Sequence, residues 1–143
     1  MTEFIHASAV SLAGQGVLII GPSGSGKSSL ALQLIEKGSI LISDDQVGLT
    51  EISSGVRLTA HPNGNGQIEA RSIGILRGPY EQSAPCALVT DLGKSPSERL
   101  PQPLTWTFAK ASVPALAGQN VANLATVVCL TLLGGYRVEE TGR

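Results

Sequence analysis

A glycine-rich run near the start of the chain has the residue types and spacing of a phosphate-binding loop. Residues 21–28 fit the pattern G-x-x-x-x-G-K-[ST] in full; they are Gly21, Pro22, Ser23, Gly24, Ser25, Gly26, Lys27 and Ser28. Glycines let backbone N–H groups turn toward phosphate oxygens, the lysine reaches the β- and γ-phosphates, and the final hydroxyl ligates Mg²⁺. The pattern therefore predicts a nucleotide site, and the alternative is a chance glycine-rich turn.

Two adjacent carboxylates, Asp44 and Asp45, follow a short apolar strand predicted at residues 40–43. Because the carboxyl ends of strands in a parallel-type sheet face the ligand crevice, we expect both beside the γ-phosphate. One could hold Mg²⁺ directly or through water, while the other accepts a proton from an incoming hydroxyl. GTPases and most ATPases place their metal-side aspartate much farther along the chain. The alternative is an Asx turn or a helix cap outside any site.

The segments around the loop predict an α/β fold, a P-loop-containing kinase domain with a strand-rich, mixed sheet. Residues 16–20 form a continuous apolar run typical of a strand buried on both faces, and residues 27–37 have helical spacing with Gly38 as the cap. The loop therefore joins a buried strand to a helix. Other predicted strands lie within residues 4–12, 47–52, 56–60, 86–91 and 104–108, with a loop at 114–120 and an apolar final helix at 120–133.

Length and composition predict one compact domain over residues 1–143. The formal net charge of −1, with dispersed Lys and Arg, makes nucleic acid a poor partner. The N-terminus does not resemble a secretion signal, and residues 121–133 are too short to span a bilayer, so we expect a cytoplasmic protein without a membrane segment. Cys86 and Cys129 lie in apolar runs, which favours buried reduced thiols over a disulfide.

Four separated motifs, in this order, resemble the bacterial HPr kinase/phosphorylase family. His6 precedes the phosphate loop at the family's spacing, and residues 26–45 run from Gly-Lys-Ser through a helix to Asp-Asp. Residues 68–76 are similar to a family signature that usually has Gly in place of Ser72, and Arg99-Leu100 matches a later Arg-Leu pair. The resemblance covers nearly the whole chain and is closest to the short proteobacterial form, without a separate N-terminal domain.

The resemblance implies an ATP-dependent kinase that phosphorylates a serine of the phosphocarrier protein HPr or a homologue. Asp45 would be the base, assisted by Asp44, although the residues leave open which of the two leads. Glu69 would bind Mg²⁺ together with Ser28, and Arg99 would offset charge on the transferred group. His6 would belong to the site.

Two of these residues have simpler interpretations when the resemblance is set aside. A single strand histidine such as His6 is more often structural than catalytic. Glu69 and Arg71 lie two residues apart on a segment expected to be extended, hence on one face, where they could form a surface ion pair.

The family's members resemble hexamers, so we expect a homo-oligomer in which the apolar final helix could contact another subunit. The family's loop before that helix is typically rich in Pro, Gly and Arg and is linked to dephosphorylation. Here residues 114–120 contain no Arg or Lys, and the nearest cation in sequence is Lys110. We therefore expect a kinase with a weak phosphorolytic reverse reaction.

Two other functions remain open from the residues alone. A P-loop small-metabolite kinase would need an Arg-rich lid, and the second half of the chain offers few arginines. A nucleotide-sensing binding module without transfer activity would not require three acids, Asp44, Asp45 and Glu69, around a polyanion. The chain lacks an Asn-Lys-x-Asp guanine-reading segment, which argues against a GTPase.

Overall fold

The computed structural model describes residues 1–140; residues 141–143, the end of the predicted single domain, lie outside the described residues. The described part contains eleven strands and two helices. In chain order they are β1 Thr2–His6, β2 Ser8–Leu12, β3 Gln15–Ile20, α1 Lys27–Glu36, β4 Ile40–Ser43, β5 Gln46–Ile52, β6 Gly55–Ala60, β7 Gln67–Ala70, β8 Gly74–Arg77, β9 Ser83–Asp91, β10 Leu104–Phe108, β11 Ala111–Ala117 and α2 Leu124–Leu132.

Nine strands form one mixed sheet, which confirms the predicted strand-rich α/β fold. Its main path runs β1-β5-β6-β9-β3-β2-β4, with β11 beside β9 and β10 beside β11, while β7 and β8 form a separate hairpin. Strand β9 pairs in parallel with β3 and β11, and the other neighbours in the sheet are antiparallel. Because β2 is antiparallel to both β3 and β4, the last two run the same way. The carboxyl ends of β3, β4, β9 and β11 therefore lie at one edge of the sheet.

Strand β3 is buried on both faces, as its apolar run predicts. Val17 and Ile19 pack in a cluster with α1 and α2, whereas Leu18 packs in a second cluster on the opposite face of the sheet. Side chains of a strand alternate between faces, so a strand with helices on one side and strands on the other needs apolar residues at every position. This burial fixes the point from which the glycine-rich loop leaves the sheet.

Helix α1 follows the loop as predicted. Leu30, Ala31 and Leu34 are its buried apolar residues, and they pack on the sheet face that carries Val17 and Ile19. Gly38 has φ 111, a left-handed conformation that glycine adopts without a Cβ clash, and its N–H donates to the Ile35 carbonyl. The helix therefore ends where the sequence places its cap.

The structure corrects three boundaries. The segment 4–12 is two strands that part at Ala7, because β1 pairs with β5 whereas β2 pairs with β3 and β4. The first half of the predicted loop 114–120 belongs to β11. Proline has no N–H to donate to a neighbouring strand, and Pro114 is tolerated because β9 pairs with β11 only from Ala115 onward. The final helix is shorter than 120–133, since Asn120 and Asn123 have left-handed φ values of 60° and 59°.

Neither of the two cysteines forms a disulfide, as their apolar surroundings in the sequence predict. Cys86 and Cys129 are free thiols, although each is only partly buried. Within residues 1–140, neither helix has the length and apolar character needed to cross a membrane.

Candidate active site

The glycine-rich loop spans the gap between β3 and α1 with a backbone that only glycine adopts easily. Gly21, Gly24 and Gly26 have φ values of 149°, 79° and 99°. A Cβ at Gly21 would lie 2.6 Å from the Ser25 Oγ and 3.2 Å from the backbone nitrogen of Gly93. No side chain caps the first turn of α1, so its N–H groups face the loop without a side-chain acceptor. The loop and helix together have the form of an anion cradle.

Lys27 is folded back across this loop. Its ammonium donates to the carbonyl oxygens of Gly21 and Pro22, at 2.9 and 3.1 Å, and the residue is only 7% exposed. A buried ammonium must be hydrogen-bonded, and here the loop itself supplies the acceptors. Lys27 therefore holds the loop closed and keeps a positive charge beside the cradle.

Asp44 is the hub of the hydrogen bonds around the loop. Its carboxylate accepts from the Ser28 hydroxyl at 2.8 and 3.1 Å, from the Ser8 hydroxyl at 2.6 Å and from the Glu69 backbone N–H at 3.2 Å. These donors come from α1, β2 and β7, so one carboxylate joins three elements to the end of β4. These hydrogen bonds fix the orientation of the Asp44 carboxylate beside the phosphate loop.

Asp45 differs from Asp44 although the two are adjacent. Its side chain is 73% exposed, and its Oδ1 lies 3.7 Å from the Nδ1 of His6, whose side chain is 49% exposed. Its φ of 73° is a left-handed conformation, unusual for a residue with a Cβ. Strain of this kind recurs at functional sites, because the surrounding structure must hold it. The second carboxylate is therefore turned toward solvent at the rim of the site.

These residues surround a hollow of about 660 Å³, which we call the acidic hollow. It brings together most of the predicted site: Ser23, Gly24, Gly26, Lys27, Ser28, Asp44, Asp45, His6 and Glu69 all line it. Gly21, Pro22 and Ser25 form the part of the loop that does not. The size is that of a small-molecule pocket, and the lining combines a phosphate cradle with three carboxylates.

Arg99 is not brought to this hollow. It lies in the exposed stretch 93–103, which has no helix or strand, and it is absent from the lining formed by residues 1–140. Within residues 1–140 Arg99 does not line the hollow, and its role in offsetting charge on the transferred group stays a prediction. The position of Arg99 could not be predicted from the order of the motifs in the sequence, because its segment does not pair with a strand that would fix where it lies.

Arg71 does line the hollow, but not for the reason that the sequence suggested. It lies in the turn between β7 and β8 rather than on the strand that carries Glu69, so the two do not share an extended face. Ser72 in the same turn has φ 65, which explains why glycine suits that position. The hairpin, and not strand alternation, brings Arg71 toward the site.

Ser8 is a site residue that the sequence analysis missed. It is 1% exposed and donates the shortest hydrogen bond to Asp44, at 2.6 Å. A buried serine between two alanines carries no motif. The signal that could have located it is its place at the start of a core strand, since a buried hydroxyl needs a partner.

The donor atoms around Ser28 suit a hard cation. Ser28, Asp44 and Glu69 present hydroxyl and carboxylate oxygens, the ligands that Mg²⁺ prefers. In residues 1–140 no group of three or more His, Cys, Asp or Glu side chains is arranged to hold a metal without help. Mg²⁺ usually keeps several waters and binds through one or two carboxylates plus substrate phosphates. The donor set therefore fits Mg²⁺ that arrives with a nucleotide.

Comparison with known proteins finds relatives of one kind. A family model described as HPr Serine kinase C-terminal domain matches residues 1–78, more than half of the chain. The HPr kinase/phosphorylase of Mycoplasmopsis pulmonis is 32% identical over 155 residues, covering 94% of this chain and 50% of that protein. That of Clostridium novyi is 42% identical over 72 residues, covering 50% of this chain and 24% of that protein. The chain spans half or less of the length of these curated relatives.

A solved structure has the same fold. The Hpr(Ser) kinase/phosphatase from Coxiella burnetii matches with a TM-score of 0.75 and 22% sequence identity, over 93% of this chain and 90% of that chain. The two chains therefore share one fold over most of their length.

Proposed function

The chain belongs to the HPr serine kinase C-terminal domain family, and on this premise we propose that it transfers the γ-phosphate of ATP to a serine hydroxyl of an HPr-like phosphocarrier protein. One observation carries the proposal: Asp44 is hydrogen-bonded to Ser28 at the end of the phosphate loop, while Asp45 stands exposed beside it. A phosphotransferase needs one carboxylate on the metal side and one on the acceptor side.

The phosphate loop and Lys27 would bind the nucleotide. The loop's backbone N–H groups and the first turn of α1 would cradle the phosphates. Lys27 would exchange one of its loop carbonyls for a phosphate oxygen, a short movement because both acceptors lie within 3.1 Å of its Nζ. Ser28, Asp44 and Glu69 would hold Mg²⁺ on the nucleotide, which supplies charge neutralisation for the transferred group.

Removal of the acceptor proton is assigned to Asp45, with His6 as the neighbour that orients it. Asp45 has fewer hydrogen-bond donors than Asp44 and faces solvent, where a substrate hydroxyl can reach it. The Asp44 oxygens are engaged by the Ser8 and Ser28 hydroxyls and are therefore less accessible to a substrate hydroxyl. Arg99 could serve only if the 93–103 stretch moves or if a second copy supplies it.

A protein acceptor is favoured over a small metabolite by the exposure of this rim. Kinases of small metabolites enclose the substrate to exclude water, whereas Asp45 and His6 lie at the surface with side chains 73% and 49% exposed. A serine on a protruding segment of a partner can reach such a base. The names of the relatives, HPr kinase/phosphorylase, support an acceptor of the HPr class.

The proposal includes a cytoplasmic single domain that forms homo-oligomers and acts without nucleic acid. ATP and phosphocarrier proteins are available in the cytoplasm, and the net charge of −1 gives no attraction for a polyanion. Leu130, Leu133 and Tyr136 are exposed at 41%, 55% and 66%, so the end of α2 offers an apolar surface for a subunit contact.

The test is transfer of label from γ-labelled ATP, with Mg²⁺, to the phosphocarrier proteins of the source organism, followed by mapping of the modified residue. The proposal expects phosphoserine on an HPr-like protein and transfer at least ~10²-fold slower in the Asp45→Asn variant. Label recovered on a small metabolite instead would establish the metabolite kinase. ATP binding without transfer to any carrier would establish the nucleotide-sensing module.

A further inference from the structure

The Ser8 hydroxyl is buried against the carboxylate of Asp44. Ser8 lies at the start of β2 and is 1% exposed, and its hydroxyl donates to Oδ1 of Asp44 at 2.6 Å. A buried hydroxyl needs a hydrogen-bond partner, and here the partner comes from a different part of the chain. The pair therefore links β2 to the residue that follows β4.

An irregularity in the pairing of β2 with β4 brings these two side chains together. Ile42 is an extra residue on β4, a bulge that places Ser43 opposite Ala9. Continued by one residue, this register puts Ser8 opposite Asp44. Directly opposite residues of antiparallel strands share one face of the sheet, so their side chains can meet. The contact is therefore set by the backbone of two core strands.

The backbone that carries the two aspartates is also held by the start of β2. The Gln46 N–H donates to the Asp44 carbonyl at 2.9 Å across Asp45, whose φ is 73°. This is the pattern of a γ-turn, a rare and strained conformation. The Ala7 N–H donates to the Asp45 carbonyl at 3.2 Å. Ala7 and Ser8 therefore hold this turn through one backbone bond and one side-chain bond.

Ser8 and Ser28 both donate to Asp44, but only Ser28 is expected to serve a second partner. The hydroxyl at the end of a phosphate loop ligates Mg²⁺, whereas in the structure it lies 2.8 and 3.1 Å from the two oxygens of Asp44. A hydroxyl has one hydrogen, so turning its oxygen toward a cation weakens at least one of these contacts. Ser8 on Oδ1 and the Glu69 N–H on Oδ2 then remain, one donor for each oxygen.

We propose that Ser8 is a positioning residue for magnesium binding, because its hydroxyl holds Asp44 at the metal side of the site when Ser28 turns its oxygen to the cation. This inference rests on the proposed use of ATP and Mg²⁺. Ser8 acts through Asp44 and does not bind the nucleotide itself. Removing a group that orients a metal ligand typically costs about 10- to 100-fold in metal affinity or activity.

The test measures the affinity for ATP with Mg²⁺ and again with EDTA, without an acceptor protein, so the result does not depend on catalysis. The ratio of the two affinities, which we call the magnesium ratio, reports the contribution of the metal. We expect Ser8→Ala to lower the magnesium ratio about tenfold while its affinity in EDTA stays that of the wild type. Ser8→Thr keeps the hydroxyl, and threonine is favourable in a strand, so this variant should retain most of the wild-type ratio.

Ser11→Ala is the matched control. Ser11 is a second serine of β2 that is 1% exposed, but its hydroxyl has no hydrogen-bond partner in residues 1–140. It lies three positions from Ser8, hence on the opposite face of the strand. Its magnesium ratio should equal that of the wild type, which separates the bond to Asp44 from the general loss of a buried hydroxyl.

An unchanged affinity in EDTA also reports that each variant is folded with an intact phosphate loop. The inference is overturned, while the proposed function stands, if Ser8→Ala keeps the wild-type ratio, loses affinity equally in Mg²⁺ and EDTA, or has a ratio that Ser8→Thr or Ser11→Ala shares. If the wild-type protein does not bind ATP, or binds it no more tightly with Mg²⁺ than with EDTA, the proposed function itself fails and the inference fails with it.

Discussion

The Ser28 hydroxyl lies 2.8 Å from Oδ1 and 3.1 Å from Oδ2 of Asp44, so the last residue of the phosphate loop is tied to the first residue beyond β4. This contact separates the roles of two adjacent aspartates that have the same side chain. Asp44 is held by three donors, whereas Asp45 projects from a left-handed backbone toward His6.

Asp45→Asn keeps the shape of the side chain but cannot accept the serine proton. We expect phosphorylation to fall by at least ~10²-fold with ATP affinity retained or improved, since a negative charge near the phosphates is removed. Initial rates and nucleotide affinity, measured on the same preparation, separate the two effects. An equal loss of ATP binding would make Asp45 a metal or structural residue and Asp44 the base.

Lys27→Ala should abolish transfer by lowering the affinity for the phosphates. Because Lys27 also donates to two loop carbonyls, the variant should lose local order in the loop while the sheet stays folded. Tripolyphosphate binding and thermal unfolding measure the two effects, with exposed Lys110→Ala as the control. Transfer near the wild-type rate would show that residues 21–28 are not the nucleotide loop.

Glu69→Gln should raise the Mg²⁺ concentration needed for activity more than it weakens metal-free nucleotide binding, because it removes an anionic oxygen from a hard cation. The backbone N–H of Glu69 still donates to Asp44 in this variant, so the geometry of the hub is preserved. A Mg²⁺ titration of activity is the measurement, and Glu3→Gln on β1 is the charge-matched control. An unchanged titration would exclude Glu69 as a magnesium ligand.

The reverse reaction should be slower than the forward one. Phosphorolysis places inorganic phosphate beside a phosphoserine, which cations must offset, and residues 114–120 contain no Lys or Arg. Supplying serine-phosphorylated carrier with excess phosphate and following pyrophosphate release gives the reverse rate. A reverse rate equal to the forward one would contradict this reasoning. Lys94→Ala would then test one cation whose backbone adjoins this stretch, since the Gln119 N–H donates to the Lys94 carbonyl at 3.0 Å.

Burial raises the pKa of the Cys86 thiol from 9.0 to about 12, against smaller opposing contributions from the Leu88 and Leu18 backbone. The unfolded thiol ionises above pH 9 while the folded one does not. The stabilising effect of the neutral thiol is therefore complete below pH 9 and is lost as the pH rises toward 12. Urea unfolding at pH 8 and pH 10.5 should show a smaller loss of stability for Cys86→Ala than for wild type or Cys129→Ala; equal losses would contradict the shift.

The phosphate loop, α1 and the Asp-Asp pair could be predicted because each follows from local physics. Glycine spacing, helical periodicity and the end of an apolar strand can each be recognised within a short stretch of sequence. Ser8 and Arg71 could not be predicted in the same way. The pairing of β2 with β4 brings Ser8 to the acidic hollow, and the turn between β7 and β8 brings Arg71 there; both depend on contacts between segments that are far from the phosphate loop in sequence. Strand β11 was missed because Pro114 favours a loop locally, and only the change of pairing along β9 makes it acceptable.

Strand β9 belongs to both halves of the sheet. Its first residues pair with β6 and its last with β3 and β11, so the two core clusters meet along one stretch of backbone. Neither half can open without breaking the same hydrogen-bonded strand, which makes the domain a single cooperative unit. A ligand held at the phosphate loop therefore raises the free energy of opening for the whole sheet, and strands that never touch the ligand become harder to unfold.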